Sequence, residues 1–425
     1  MRGKSNFYKH LVRIFWLSLI VGTVGIWYYV DWSIPDRVSV TEHAQEEFTF
    51  SLPWRATVYS ESEEVALGNK SNIPAEQITI NSREPFSMYA GKKGSYQLDL
   101  KLFGVIQFKN IQVDVVDTTR LIPCGSPVGI YLKSKGIMVI GTGRITGENG
   151  MEMEPAVGKL KSGDYIEAFN GQKLGTKEEL AEAVSHFQGE NVTLTVRRNG
   201  AETQVKIKPV KGTDGSSKLG VWVRDDTQGI GTVTYMDLNG KFGALGHGIS
   251  DSDTGELVET SGGNLYDTQI LGIEKGKIGT PGMLSGVIYY GPKSEIGTVT
   301  ENTDYGIFGT VSQTFLKEHR TASMEAARRQ EVKTGPALVR TSISGQVKDY
   351  SVEIQRIDMT GNKKNKSLVI KITDPELLNL TGGIIQGTSG SPVIQNGKII
   401  GAITHVFVQD PTRGYGILIE DMLGH

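Results

Sequence analysis

The chain is poor in cysteine: of 425 residues, Cys124 alone carries a thiol. One thiol excludes an intramolecular disulfide, and no Cys/His cluster has the spacing of a structural zinc site. Cys124 therefore reads as a small buried hydrophobe. An excess of charge is also missing, with 45 Lys+Arg against 47 Asp+Glu and a formal net charge of −2. That balance leaves no electrostatic footprint for nucleic acid, so no such partner is expected. No acidic cluster points to a metal, and no cofactor is expected. Long amphipathic helices are scarce, and long apolar runs are absent but for one near the N-terminus.

Glycine is abundant, at 53 residues, without a collagen-like period, while apolar residues stay at 38%. This composition suits a mostly β protein with many tight turns. The exceptional apolar run is Ile14 to Val30, 17 residues without a charge, preceded by Arg2, Lys4, Lys9 and Arg13. A basic flank before an apolar run keeps the N-terminus cytoplasmic and sends the rest across the membrane. Bulky Trp27, Tyr28 and Tyr29 stand where a signal-peptide cleavage site would need small residues, so residues 1–31 are expected to be an uncleaved signal anchor.

Residues 32–117 read as a polar stalk followed by a small β module. The stalk covers 31 to about 75. Beyond it, Tyr96, Leu98, Leu100 and Leu102 share one face, and Ile111, Val113 and Val115 form a second period-2 set. In 118–212 the order is strands, a helical turn, Gly163-Asp164-Tyr165-Ile166, an Asn170-Gly171 hairpin signal and a helix. Thr176 and Glu179 form a capping box for that helix, with Leu180, Ala183, Val184 and Phe187 along one stripe. This order resembles a PDZ domain. The resemblance implies that an extended peptide binds by strand addition. It places the carboxylate-binding loop at Val128, Gly129, Ile130, Tyr131 and Leu132, with the amides of Gly129 to Tyr131 free.

Residues 213–425 hold many short β runs and read as a β-sandwich pair or two β-barrels. Residues 312–330, largely charged, are expected to connect them. Near the start lies "FGALGHGISDSDTG" and near the end "QGTSGSP". Of seven histidines, His247 alone has glycines on both sides, which would put its imidazole on an exposed, sharply turning backbone as a general base needs. Gly387-Thr388-Ser389-Gly390-Ser391-Pro392 resembles the nucleophile loop of chymotrypsin-like serine peptidases. A glycine two residues before the serine lets its N–H point inward beside the Ser389 N–H, forming an oxyanion hole. Pro392 then opens a hairpin turned at Asn396-Gly397. A nucleophile elbow would need a helix here, and a strand follows instead. His247 precedes Ser389 by 142 residues, the chain order of a two-barrel peptidase.

The whole assembly resembles the stage IV sporulation protein B peptidases of spore-forming bacteria. The resemblance implies a mostly β fold, with a chymotrypsin-like double β-barrel after a PDZ domain and a membrane anchor. It implies a signalling serine endopeptidase, secreted across the inner forespore membrane, that cleaves itself in its N-terminal region. It further implies cleavage of a membrane-bound inhibitor of an intramembrane metalloprotease, which releases a late sigma factor from its pro-form. The competing reading is an inactive PDZ-containing scaffold that kept the fold.

The third member of a triad must orient His247 and stabilise its imidazolium. The resemblance points to Asp374, 15 residues before Ser389. Chain topology favours Asp304, and Asp251 and Asp253 lie near His247 in sequence. His405, in the apolar run "AITHVFV", lies where such peptidases line the substrate cleft, and is expected as an edge-strand histidine.

Overall fold

Short runs of β-branched residues between glycine turns fold as strands along almost the whole chain. The computed structural model describes residues 2–48, 50, 55–69, 72–75, 77–80, 85–359 and 364–424. Helix α1 (Arg2–Ser33) contains a 20-residue stretch, His10–Tyr29, of mean hydropathy 1.7 with none of its window buried. By length and composition it is able to cross a membrane.

The described residues of the polar segment after α1 are folded into strands, and this corrects the expected stalk. A five-stranded sheet runs in the order Arg37–Thr41, Ile106–Val116, Gly94–Leu102, Ala56–Ser60, Gln77–Ile80. A four-stranded sheet contains Gln45–Phe48, Phe86–Ala90, Val65–Asn69 and Asn72–Ala75. One core unites them: Val38, Val40, Val58, Leu67 and Ile78 pack with Leu98, Leu100, Ile111 and Val113. Strands of four or five residues each send only two or three side chains inward, too few to show a period amid charges such as "EHAQEEF".

The strand Arg120–Thr142 has two owners. Its first half carries Ile122, Cys124, Val128, Ile130 and Leu132 into a core with Val233, Phe242, Leu265, Val299 and Ile307. Its end, from Ile137, joins a separate core with Ile166, Leu180, Val184, Leu194 and Ile207. The strand Val221–Met236 returns the same way and pairs with it from Ile122↔Met236 to Thr142↔Val221. The PDZ-like unit is thus inserted into the first peptidase barrel, and residues 122–134 belong to that barrel. This overturns the expected carboxylate loop. Gly129, Ile130, Tyr131 and Leu132 lie mid-strand, facing Ile230 to Thr227 on one side and Tyr266 to Gly263 on the other. Their backbone is committed to two neighbouring strands and cannot receive a peptide terminus. A Cβ on Gly129 would meet Ile288 at 2.3 Å, so the glycine serves close packing.

Within the inserted unit, α2 (Lys177–Ser185) forms as its sequence predicts. Glu179 N–H donates to Thr176 Oγ1 at 3.2 Å, and Glu179 Oε2 accepts from the Thr176 amide at 3.3 Å. Leu180 and Val184 are buried. Asn170-Gly171, Asn199-Gly200 and Asn396-Gly397 all adopt positive φ, as two-residue hairpin turns require.

From the first barrel, α3 (Gln313–Glu318) buries Phe315 and Leu316 and leads into the connector to the second. The second barrel closes around Val339, Tyr350, Val352, Leu368, Ile370, Val393, Ile400 and Ile403. It also holds α4 (Pro375–Thr381), and the chain finishes with α5 (Ile419–Leu423). Cys124 is buried, and burial pushes its thiol pKa up.

Candidate active site

The serine loop lies where the two barrels meet. The Thr232 N–H, on a first-barrel strand, donates to the Ser389 carbonyl at 3.1 Å, and Thr232 Oγ1 donates to the Gly387 carbonyl at 2.8 Å. From the second barrel, Gly390 N–H donates to the Ile403 carbonyl at 2.8 Å and Ile403 N–H to the Ser391 carbonyl at 3.0 Å. The approach is close enough to require glycine. At Gly390, φ is +97°, and a Cβ would lie 2.1 Å from the Thr232 carbonyl and 2.5 Å from the Leu245 nitrogen. Gly387 adopts φ +95°. Neither the Gly387 nor the Ser389 amide donates to another protein group among the described residues. Two uncommitted N–H groups on one loop are what the expected oxyanion hole requires.

The strand Lys241–Ala244 delivers the histidine. Leu245 and Gly246 both turn through φ +69°, and a Cβ on Gly246 would meet Thr404 Cγ2 at 3.0 Å. This turn lays His247 against the strand Lys398–Phe407 of the other barrel. His247 Nδ1 is 2.8 Å from the Gly248 carbonyl. A carbonyl only accepts, so Nδ1 carries the proton and Nε2 holds the lone pair. Burial pushes the His247 pKa below the ordinary value, partly offset by that carbonyl, so the ring is neutral near pH 7. Ser389 Oγ donates to the Thr404 carbonyl at 2.7 Å.

The expected carboxylates are placed elsewhere. Asp374 is the N-cap of α4: its Oδ1 accepts from the Glu376 amide at 2.9 Å and the Leu377 amide at 3.1 Å, and its Oδ2 from Ser351 N–H at 3.3 Å. The structure does not link it to His247. A carboxylate before Pro375 is a strong helix cap, and that local role answers the same sequence signal. Asp304 stands in the turn after Thr303, whose carbonyl touches Gly248, but it pairs with Lys364. Asp251 and Asp253 both pair with Arg224. Asp251 Oδ1 also accepts from the Asp253 amide at 3.0 Å and the Thr254 amide at 2.9 Å, which makes it a turn cap. Each of the three residues expected to form a triad is thus satisfied by backbone.

Two neighbours emerge that sequence reasoning undervalued. The His405 ring lies 4.8 Å from the His247 ring, tilted by 38°. Its Nδ1 is buried with no partner among the described residues. Burial, with the charges of His247 and Lys366, pushes its pKa down to about 4. Its place in the run "AITHVFV" flags it as a cleft-lining position, but not as a neighbour of His247. The second neighbour is a hairpin arm, Thr268–Glu274 with Met283–Ile288. Leu284 N–H donates to the Gln386 carbonyl at 2.9 Å, Gln386 N–H to the Gly282 carbonyl at 2.8 Å, and the Leu284 side chain rests on Gly387. The arm therefore packs directly on the serine loop at Gln386 and Gly387.

A peptide groove in the inserted unit has a different location from the one expected. The start of the strand Val221–Met236 pairs with Met138–Thr142 along one edge, and α2 lies near it. Its other edge has no partner strand among the described residues. The Lys177 amide and Nζ reach Asp225 at 2.9 and 2.7 Å and fix the helix against that strand. The turn entering the strand is Leu219-Gly220, with Gly220 at φ +66°.

Comparison with known families agrees with this architecture. Residues 215–423 match the family model for SpoIVB peptidase S55, and residues 148–208 match that for a PDZ domain. No curated protein matches the chain. The PDZ match begins after residue 132, in keeping with the barrel's claim on the strand before it. With the serine loop and the histidine turn meeting between two barrels, and the PDZ unit inserted in the first, residues 215–423 form a SpoIVB peptidase S55 unit and the chain is a SpoIVB-type peptidase with a PDZ domain.

Proposed function

We propose that this serine peptidase uses Ser389 as nucleophile, His247 as general base and the Gly387 and Ser389 amides as oxyanion hole. The supporting observation is the clasp of Thr232 and Leu245 on the serine loop, which gathers all four at the barrel junction. The structure holds a resting arrangement. For turnover, Ser389 Oγ leaves the Thr404 carbonyl and gives its proton to His247 Nε2 as it attacks the scissile carbonyl. The tetrahedral oxyanion takes the two amide donors. The imidazolium then protonates the leaving amine, and water repeats the sequence on the acyl-enzyme. Asp374 is the acid that the family resemblance assigns to His247. To serve, it must exchange its cap on α4 for the Nδ1–H now held by Gly248.

The biological reading follows the family. The enzyme is anchored by α1, cleaves its own N-terminal region, and cuts a membrane-bound regulator of an intramembrane metalloprotease between the membranes of a sporulating cell. The PDZ unit presents a peptide along Val221–Arg224. Purified wild type and Ser389→Ala, compared for self-cleavage, test the catalytic reading. The wild type fragments and the variant stays whole; equal fragmentation would leave the inactive scaffold as the better account.

A further inference from the structure

We propose that the tip of the hairpin joining Gly94–Leu102 to Ile106–Val116 inserts into the membrane beside α1, in the leaflet that holds the C-terminal end of that helix. The proposal rests on the reading of α1 as an anchor. The tip is apolar where a soluble hairpin would be polar. Phe103, Val105 and Ile106 are 60%, 79% and 53% exposed. Phe103 adopts φ +55° and Gly104 φ +75°. Asparagine, aspartate or glycine ordinarily takes such a position, and a phenylalanine there is strained. Strain and exposed apolar surface at one turn point to a ligand that rewards both.

The neighbouring contacts say what that ligand is. Along the strand Ile106–Val116, each step toward the tip meets an earlier residue of the anchor segment. Gln112 pairs with Arg37, and its amide donates to the Asp36 carbonyl at 2.9 Å. Lys109 Nζ donates to the Ile34 carbonyl at 2.7 Å. Phe108 packs edge-on against Trp27, with ring centroids 4.5 Å apart. Trp27 belongs to the aromatic belt of α1, which marks the membrane–water interface. Val105 lies three residues nearer the tip than Phe108. At roughly 3.3 Å per residue it reaches some ~10 Å further along the helix, toward the acyl chains. That is the depth at which interfacial elements bury their apolar faces, roughly 5–10 Å. Arg55, whose carbonyl accepts from the Phe103 amide, is exposed beside the tip, and Lys101 lies two residues before it; both suit lipid headgroups.

The test uses the full chain, in the Ser389→Ala form that stays whole, reconstituted in phosphatidylethanolamine/phosphatidylglycerol liposomes. Val105→Cys is labelled with the fluorophore NBD, buried Cys124 being shielded from the reagent. Leu17→Cys in α1 and Glu148→Cys on the PDZ unit carry the same label as references. The expected result is blue-shifted NBD emission at 105, quenched by doxyl-labelled phospholipid as it is at 17, with no quenching at 148. Quenching at 17 with a water-like signal at 105 overturns the tip inference and leaves the anchor standing. A water-like signal at 17 overturns both.

Discussion

Each side chain of the proposed triad has a backbone partner that it must leave to react. For His247 this sets the acid limb of catalysis. The base works neutral, and burial holds its pKa below the ordinary histidine value of 6.5. Activity therefore persists as pH falls through 6.5 and fails only at lower pH, which a profile of kcat/KM against pH would show. A limb at or above 6.5 would contradict the buried, neutral ring. Gly390→Ala should lower kcat on the order of 10²-fold, because a Cβ 2.1 Å from the Thr232 carbonyl displaces the serine loop. Asp374→Asn separates two roles. Asparagine caps a helix as well as aspartate does, so thermal stability should hold. If the carboxylate serves His247, kcat falls by about 10⁴-fold; full activity would leave Asp374 a helix cap. The meeting of the serine loop and the histidine turn was legible, because glycines at fixed offsets mark the tight turns that let the two loops approach. The acid was not, since an Asp before a proline satisfies a cap and a triad equally well on sequence alone.

Among elements, the strand Arg120–Thr142 shows most clearly where sequence reading stops. Its continuous alternation carries no mark of the point, near residue 135, where one core hands over to another. The glycine of Val128-Gly129-Ile130 imitates a binding loop, yet it serves close packing against Ile288. By contrast α2 and the Asn-Gly turns were fully legible, since caps and positive φ are local demands. The strand Val221–Met236 also ties the PDZ unit to the histidine loop. Arg224 Nη2 reaches Asp253 at 2.8 Å and Nη1 pairs with Asp251, a carboxylate with no exposed surface. Arg224→Ala would leave Asp251 buried without its cation and should destabilise the chain by about 3 kcal/mol, read as a drop in the denaturation midpoint. Amide donors and Arg224 hold the Asp251 pKa below the usual range despite burial. Its contribution is therefore present at neutral pH and is lost as pH falls through that lowered value.

At the scale of the whole molecule, two units converge on the peptidase. The N-terminal sandwich docks on the second barrel through Arg328, which pairs with Glu46 and Thr41, and through Gln330 and Glu420, which both meet Ser39. The PDZ unit enters the first barrel through two shared strands. Both attachments join regions more than 80 residues apart, so composition and periodicity could not reveal them. The two-barrel core was foreseeable from strand density and from the spacing of His247 and Ser389. The central claim is that these two residues act together on a peptide carbonyl. Labelling of the purified full chain with a fluorophosphonate, followed by mass spectrometry of its peptides, tests this most directly. The account predicts one adduct per chain, on Ser389, lost in His247→Ala; no adduct on Ser389, or one undiminished by His247→Ala, would contradict it.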